Sequence, residues 1–201
     1  MANPSLLKTL ASLCCGWVAL SATAGSVSVT VRGQQGQPLV DAVLMLEPVG
    51  AKVPVKPMTA VEIGQQQRRF DPMVTVVTAG TAVSFPNRDT VRHHVYSFSP
   101  AKKFEIKLYV GKPEKPILFE RSGVVVLGCN IHDQMVGWVV VSDTPWWAKT
   151  ATPGTARWDD VPKGAYQLRA WHPSLPAGSQ GLLRAVTVTG NEQINVDLPA
   201  S

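Results

Sequence analysis

Residues 124–141 read VVVLGCNIHDQMVGWVVV, and this stretch decides how the chain folds. Two Val-rich runs flank a short polar loop, and each run is too short for a stable helix. The pattern therefore predicts two adjacent β-strands joined by a turn. The loop carries Cys129, His132 and Met135 in a C-x2-H-x2-M arrangement. A thiol, an imidazole and a thioether on one turn can converge on one point above it, which predicts a metal site.

The N-terminus has the pattern of a secretory signal peptide over residues 1–24. Lys8 is its one charge, Leu10 to Leu20 is mostly apolar but too short to cross a bilayer, and residues 22–24 form an A-x-A cleavage signature. An uncleaved N-terminal anchor is the alternative. No later apolar run approaches the ~18 residues of a membrane span. We expect a periplasmic protein with no membrane span after cleavage.

Cleavage would change the cysteine count. Cys14 and Cys15 lie in the signal, so only Cys129 would remain. A lone Cys in an exported protein indicates an intermolecular disulfide, a reactive thiol or a metal ligand. The neighbouring His132 and Met135 favour the ligand.

The rest of the chain predicts an all-β fold. Residues 26–33 alternate apolar and polar side chains, and similar short runs recur between Gly- and Pro-rich turns. Residues 86–89 form a polar corner before a strand-like run that begins at His93, whereas residues 146–158 carry Thr, Gly and Pro as turns do. No segment has the sustained period of a helix.

A fourth ligand must come from outside the loop, and the candidates are His93, His94 and His172. Adjacent residues of a strand point to opposite faces, so at most one of His93 and His94 can reach the metal. We favour His93, which follows the corner and lies on the same side as Val95. Two His, one Cys and one Met are the donors of a mononuclear blue-copper site, so we expect one copper ion that cycles between Cu(I) and Cu(II).

The motifs FPNRDTVRHHV and GCNIHDQMVGWVVV together resemble the cupredoxin family, in particular plastocyanin and amicyanin of the methylamine-utilisation type. The resemblance covers about residues 65–142. It implies an eight-stranded Greek-key β-sandwich, one-electron transfer, and His93, Cys129, His132 and Met135 as copper ligands. His94 stands where plastocyanin-like proteins commonly have Asn, and Asp133 where Pro is frequent, so both positions should alter hydrogen bonding around the site.

The flanks show a second resemblance, to carboxypeptidase regulatory-like β-sandwiches. It is carried by the pattern from Val27 to Leu44 and by the DVPKGAYQL stretch at residues 160–168. It implies a small β-sandwich made of residues 25–55 and 143–201, with a cupredoxin domain at 56–142 inserted between them. The alternative is that both flanks elaborate one cupredoxin sandwich.

The expected function is electron transport between redox partners, with copper delivery without redox cycling as the alternative. By resemblance, the partner would be an amine dehydrogenase or a c-type cytochrome. Four His leave too few ligands for a second copper cluster, and no catalytic set stands out, so we expect no enzyme activity. The net charge of +5 includes a basic segment at 100–116, which is a solvated face or a weak surface for an acidic partner. It is too sparse to predict nucleic-acid binding.

Overall fold

The computed structural model describes residues 24–113 and 115–199, and every regular element in that part of the chain is a β-strand. The all-β prediction is confirmed. The predicted signal peptide lies outside the described residues except for Ala24. The strands are, in chain order, β1 (Ala24–Arg32), β2 (Val43–Pro48), β3 (Val61–Glu62), β4 (Gly64–Gln66), β5 (Arg69–Asp71), β6 (Val74–Thr78), β7 (Thr81–Ser84), β8 (His93–Ser99), β9 (Lys102–Tyr109), β10 (Ile117–Phe119), β11 (Gly123–Gly128), β12 (Val136–Ser142), β13 (Trp147–Lys149), β14 (Thr155–Pro162), β15 (Gly164–Trp171), β16 (Leu182–Val188) and β17 (Asn191–Asp197).

The central part of the chain forms two facing sheets. One sheet has the strand order β6-β12-β11-β8-β9, and the other has the order β10-β7-β3. A buried hydrophobic cluster lies between them, with Leu127 and Val139 from the first sheet and Val83 and Phe119 from the second. Residues 124–141 supply most of β11 and β12, which pair antiparallel from Gly123–Val141 to Gly128–Val136. This confirms the predicted pair of strands.

The two ends of the chain meet in a second pair of sheets. The first strand, β1, lies between β14 and the last strand, β17, with which it pairs in parallel. The other sheet has the order β13-β2-β15-β16. Val29 of β1 and Leu46 and Leu168 of the other sheet belong to one buried cluster. The domain boundaries at residues 55 and 142 stay a prediction.

The five-stranded sheet is buried on both faces over much of its area. Val139 and Val141 of β12 point into the central cluster, whereas Val140 and the neighbouring Val76 of β6 pack with the flanking strands. A strand that is buried on both sides needs apolar residues at every position rather than at alternate ones. This explains the consecutive Val residues at 124–125 and 139–141, which alternate between the two clusters, whereas Val126 is exposed.

The Thr, Pro and Gly of residues 152–154 form a turn as expected, but β13 and the first half of β14 also lie within residues 146–158 and were not predicted. Ala156, Trp158 and Val161 are the buried residues of β14. A β-bulge opposite Ser26 interrupts their alternation, and Asp160 within it has a positive φ of 60°. The bulge shifts the apolar positions out of period two, which hides the strand in the sequence.

Candidate metal centre

Three potential ligands meet at one end of the central sandwich. His93, Cys129 and His132 each offer an atom that lies within 4.8 Å of the others. Nδ1 of His93 lies 3.9 Å from Sγ of Cys129, and the two imidazole rings cross at 61° with their centroids 5.2 Å apart. The group joins residues that are far apart in sequence, so the fold itself assembles it.

Strand ends and one turn position these side chains. His93 is the first residue of β8, and Cys129 directly follows β11. His132 lies in the loop before β12, where its carbonyl accepts a hydrogen bond from the Met135 N–H at 2.9 Å. That bond closes the turn that carries the last two predicted ligands.

The donor set fits a soft metal ion. Nε2 of His93 is engaged with Asp89, which leaves Nδ1 to face Cys129. Nδ1 of His132 is buried and has no hydrogen-bond partner among the described residues. An unpaired buried nitrogen costs free energy, and a metal bond to its lone pair removes that cost. Thiolate and imidazole together suit copper or zinc, and a thioether suits copper.

Met135 accompanies Cys129 in the interior. Their relative exposures are 1% and 3%, and both belong to the central hydrophobic cluster. They also line the same cavity. The structure therefore places the thioether in the surroundings of the thiol, on the loop that bears His132.

The carboxylate of Asp89 contacts the imidazole of His93 at the ring nitrogen that does not face Cys129. One oxygen of its carboxylate lies 2.7 Å from Nε2 of His93. The carboxylate also accepts hydrogen bonds from the backbone N–H groups of Gln67 and Arg68, at 2.8 and 3.0 Å. Burial raises the pKa of Asp89, but the hydrogen bonds from Arg68, His93 and Gln67 outweigh burial, so the net shift of this pKa is downward. The carboxylate therefore stays ionised beside the imidazole.

Sequence reasoning recognised the corner at residues 86–89 but not this role of Asp89. The contact depends on the β4–β5 hairpin, whose turn residues Gln67 and Arg68 have positive φ values of 53° and 57° and present both N–H groups to the carboxylate. Asn87 fixes the corner from within, because its side chain donates to the carbonyls of Val91 and Tyr109 at 2.9 and 2.8 Å. The sequence did contain one indication of this contact, namely an Asp four residues before the candidate ligand His93.

The other candidate histidines lie elsewhere. His94 points away from Cys129, and its Nε2 lies 2.8 Å from Glu105 of β9. This agrees with the opposite-face argument. His172 is bound to Ser174 at 2.7 Å and to the Val40 carbonyl at 3.1 Å, in the flanking part of the chain. Burial lowers its pKa, although the hydrogen bond to Val40 and the charge of Asp41 oppose the shift.

The surroundings of the loop differ from expectation at Asp133. This residue is exposed and has no hydrogen bond to a ligand among the described residues. The ring of Trp146 packs against Tyr166 of β15 at a centroid distance of 5.7 Å, in the flanking part of the chain. Ile131 and Val136 are exposed beside the half-buried His132.

No family model and no curated protein matches the sequence. Solved structures that resemble the chain include a purple cupredoxin from Nitrosopumilus maritimus, with 24% identity over 41% of this chain and 99% of that one and a TM-score of 0.36. A copper-containing nitrite reductase from Thermus scotoductus has 26% identity over 49% of this chain but only 25% of its own, with a TM-score of 0.39. An amicyanin variant has 19% identity over 49% of this chain and 98% of its own, with a TM-score of 0.36.

All three TM-scores are below 0.5, so these similarities assign no function to this chain. The central sandwich has a cupredoxin-like fold, with a five-stranded sheet facing a smaller one and the His-Cys-His group at one end. The described part of the chain has no helix that is long and apolar enough to cross a membrane.

Proposed function

We propose that this chain is an exported blue-copper protein that carries single electrons between redox partners in the periplasm. One copper ion would be held by His93, Cys129, His132 and Met135. The observation that carries the proposal is the convergence of two imidazoles and a thiol within 4.8 Å, with Nδ1 of His132 buried and unpartnered.

Each ligand has a distinct part in the proposal. Cys129 binds as a thiolate, and neutral His93 and His132 offer Nδ1 lone pairs. Met135 supplies a weak contact that tolerates both oxidation states. Copper, when bound, supplies the one-electron couple between Cu(I) and Cu(II).

The protein's contribution is a rigid and largely dry site. His93 and Cys129 are attached to paired strands, and the Asp89 carboxylate fixes the orientation of the His93 ring. Carboxylates behind metal-bound histidines set the tautomer and raise the basicity of the ligand. Such a site changes little when the charge of the metal changes. The half-buried His132 is then the natural point of electron exchange, since Ile131 and Val136 surround it with exposed apolar surface.

Copper delivery is the second candidate, and the burial of Cys129 and Met135 favours the carrier over it. Transfer to an acceptor protein requires ligand exchange, and Cys129 and Met135 are only 3% and 1% exposed. We propose no enzymatic activity for this chain. His94 and His172 are engaged with Glu105, Ser174 and Val40, and the described residues contain one metal-type cluster.

We also propose that residues 25–55 and 143–201 form a supporting β-sandwich into which the copper domain is inserted. The pairing of β1 with β14 and β17 supports this arrangement, as does the cluster that joins β1, β2 and β15.

Titration of the purified protein with Cu(II), followed by absorption and a redox titration, tests the function. We expect intense visible absorption that saturates at one copper and bleaches reversibly on one-electron reduction. Cys129→Ser should abolish the absorption, whereas Met73→Leu at an exposed methionine should leave it unchanged. A colourless copper complex, or a coloured Cys129→Ser variant, would refute the assignment. Loss of copper to a chelating acceptor faster than electron exchange would favour delivery.

A further inference from the structure

The outer face of the five-stranded sheet is only half covered. Val76 and Val140 on this face pack against the flanking strands. Farther along the same face, Phe98 is 78% exposed, and Val126 and Val136 are also exposed. A sheet face that leaves a Phe and two Val side chains in solvent next to a binding site marks a surface for association.

A groove opens on this face because two neighbouring strands diverge. The strands β8 and β11 share a single aligned pair, Tyr96 and Gly128. Beyond it, the N–H of Val126 donates to Oγ of Ser99 at 2.9 Å, and the N–H of Val124 donates to Oε1 of Gln180 at 3.1 Å. Side chains thus satisfy the freed backbone donors, so the groove offers apolar contact rather than an open strand edge.

The groove begins at the metal loop and ends at the flanking strands. One hollow is lined by Cys129, Met135, Phe98 and Val126. A second hollow shares Val126 with it and is lined by Trp171, Pro173 and residues 175–180. The far wall is therefore supplied by the flanking part of the chain.

The rim beside Phe98 is mainly basic. Lys103 lies directly opposite Phe98 in the β8–β9 pair, and the adjoining hollow is lined by Lys102 and Arg121 together with Glu120. Asp133 lies at the metal end. Glu105 lies 2.8 Å from His94 but keeps 56% of its side chain exposed, so this edge also carries acidic charge, and the basic excess is confined to Lys102, Lys103 and Arg121 around the hollow beside Phe98. Basic groups around an apolar surface favour an anionic partner and speed its approach.

We propose that this groove docks an acidic one-electron carrier protein, which inserts an apolar side chain beside Phe98. The inference rests on the proposed copper function and names a second exchange surface besides His132. In the exchange, one electron leaves the reduced copper protein and reduces the partner's oxidised redox centre, with no covalent bond made and no proton moved.

Aromatic contacts connect the groove to the thiol. The rings of Phe98 and Tyr96 have their centroids 5.2 Å apart. The ring of Tyr96 lies over Gly128, where an added Cβ would be 2.6 Å from its Cζ. Gly128 is bonded to Cys129, so a partner at Phe98 is separated from the ligand by two rings and one peptide unit.

Stopped-flow kinetics of the copper-loaded protein with a c-type cytochrome of net negative charge tests the proposal. Phe98→Ser and Lys103→Glu should each lower the second-order rate constant by about ten-fold, and added salt should lower the wild-type rate. Leu183→Ser and Lys163→Glu are matched controls at exposed positions of the flanking part, and they should have no effect. The visible spectrum and the rate with ascorbate should be the same in all variants. A rate that is indifferent to Phe98→Ser and Lys103→Glu, or that is higher with a basic cytochrome, would overturn the proposal.

NMR mapping of the backbone amide chemical-shift changes on binding separates this proposal from the copper function. With the same acidic cytochrome, shifts centred on Phe98, Lys103 and Val126 support the groove, in the apo protein as well as with copper. Shifts centred on Ile131, or shifts that arise from self-association, contradict it. Absence of visible absorption with copper would refute the electron-carrier function but leave this binding result interpretable.

Discussion

The carboxylate of Asp89 lies 2.7 Å from Nε2 of His93, on the side of the imidazole opposite to Cys129. The β4–β5 turn holds the same carboxylate through two backbone N–H groups. A short hairpin outside the main sheets thus controls the orientation of a ligand that belongs to β8.

Replacing Asp89 with Asn should weaken copper binding by about 10–100-fold, as loss of an outer partner of a metal-bound His typically does. The reduction potential should rise, because a ligand that no longer faces an anion donates less charge to Cu(II). Competition with a chelator and a redox titration measure these effects. Asp133→Asn removes the same charge from an exposed position beside His132, and it should change both quantities much less. Equal effects of the two substitutions would show that charge alone matters, not the contact with His93.

The two adjacent histidines of β8 should respond differently to substitution. His93→Ala removes a proposed ligand and should cost more affinity than the about 10–100-fold lost with outer groups. His94→Phe preserves the packing against Tyr96 and gives up only the bond to the exposed Glu105, so we expect the visible band to remain and stability to change by less than about 1 kcal/mol. Copper titration of both variants is the measurement. Loss of colour in His94→Phe would reverse the face assignment.

Local pattern was enough to predict β11, β12 and the separation of His93 from His94 onto opposite faces, because a strand has a fixed period of two. The C-x2-H-x2-M spacing singled out Cys129 and His132, the strand-face argument singled out His93, and the fold brings these three side chains together. These signals depend on near neighbours in the chain.

The parts that were not predicted depend on distant contacts. The role of Asp89 requires the turn at Gln67 and Arg68 to fold back onto the corner. The strand β14 is hidden by a bulge that only its pairing with β1 reveals. The groove arises where β8 and β11 diverge, and Gln180 from the flanking part completes it. None of these relationships leaves a periodic trace in the sequence.

Gly137 should not tolerate a side chain. An added Cβ would lie 2.9 Å from Cβ of Phe70 and 3.1 Å from its ring, in the central core. Gly137→Ala should therefore destabilise the apo protein by about 1–3 kcal/mol through overpacking. Gly190→Ala is the control, since no atom lies within 4 Å of the added Cβ there. Urea unfolding of both variants measures the difference, and equal midpoints would mean that Phe70 moves aside without cost.

His172 should make stability depend on pH. Burial lowers its pKa from 6.5 in the folded state, so the folded protein binds fewer protons than the unfolded chain as the pH falls below that value. Its contribution to stability is present above about pH 6.5 and is lost as the pH falls towards the folded pKa. His172→Asn should flatten this part of the profile when apo-protein unfolding is measured between about pH 7.5 and 5. An unchanged difference between the variant and wild type across that range would exclude His172 as the source.

Removing a core side chain from the flanking part should destabilise the copper site as well. Leu168 of β15 is fully buried in the cluster that also contains Val76 and Val140 of the five-stranded sheet. Leu168→Ala should cost about 2–5 kcal/mol. Because the five-stranded sheet contributes to both clusters, loss of visible absorption on heating should coincide with loss of tryptophan signal from the flanking strands, at a lower temperature than in wild type. Leu183→Ala, at a half-exposed position of β16, should leave both transitions in place. If Leu168→Ala lowered only the tryptophan transition while the colour persisted to the wild-type temperature, the two sandwiches would be independent units, and the shared sheet would not couple them.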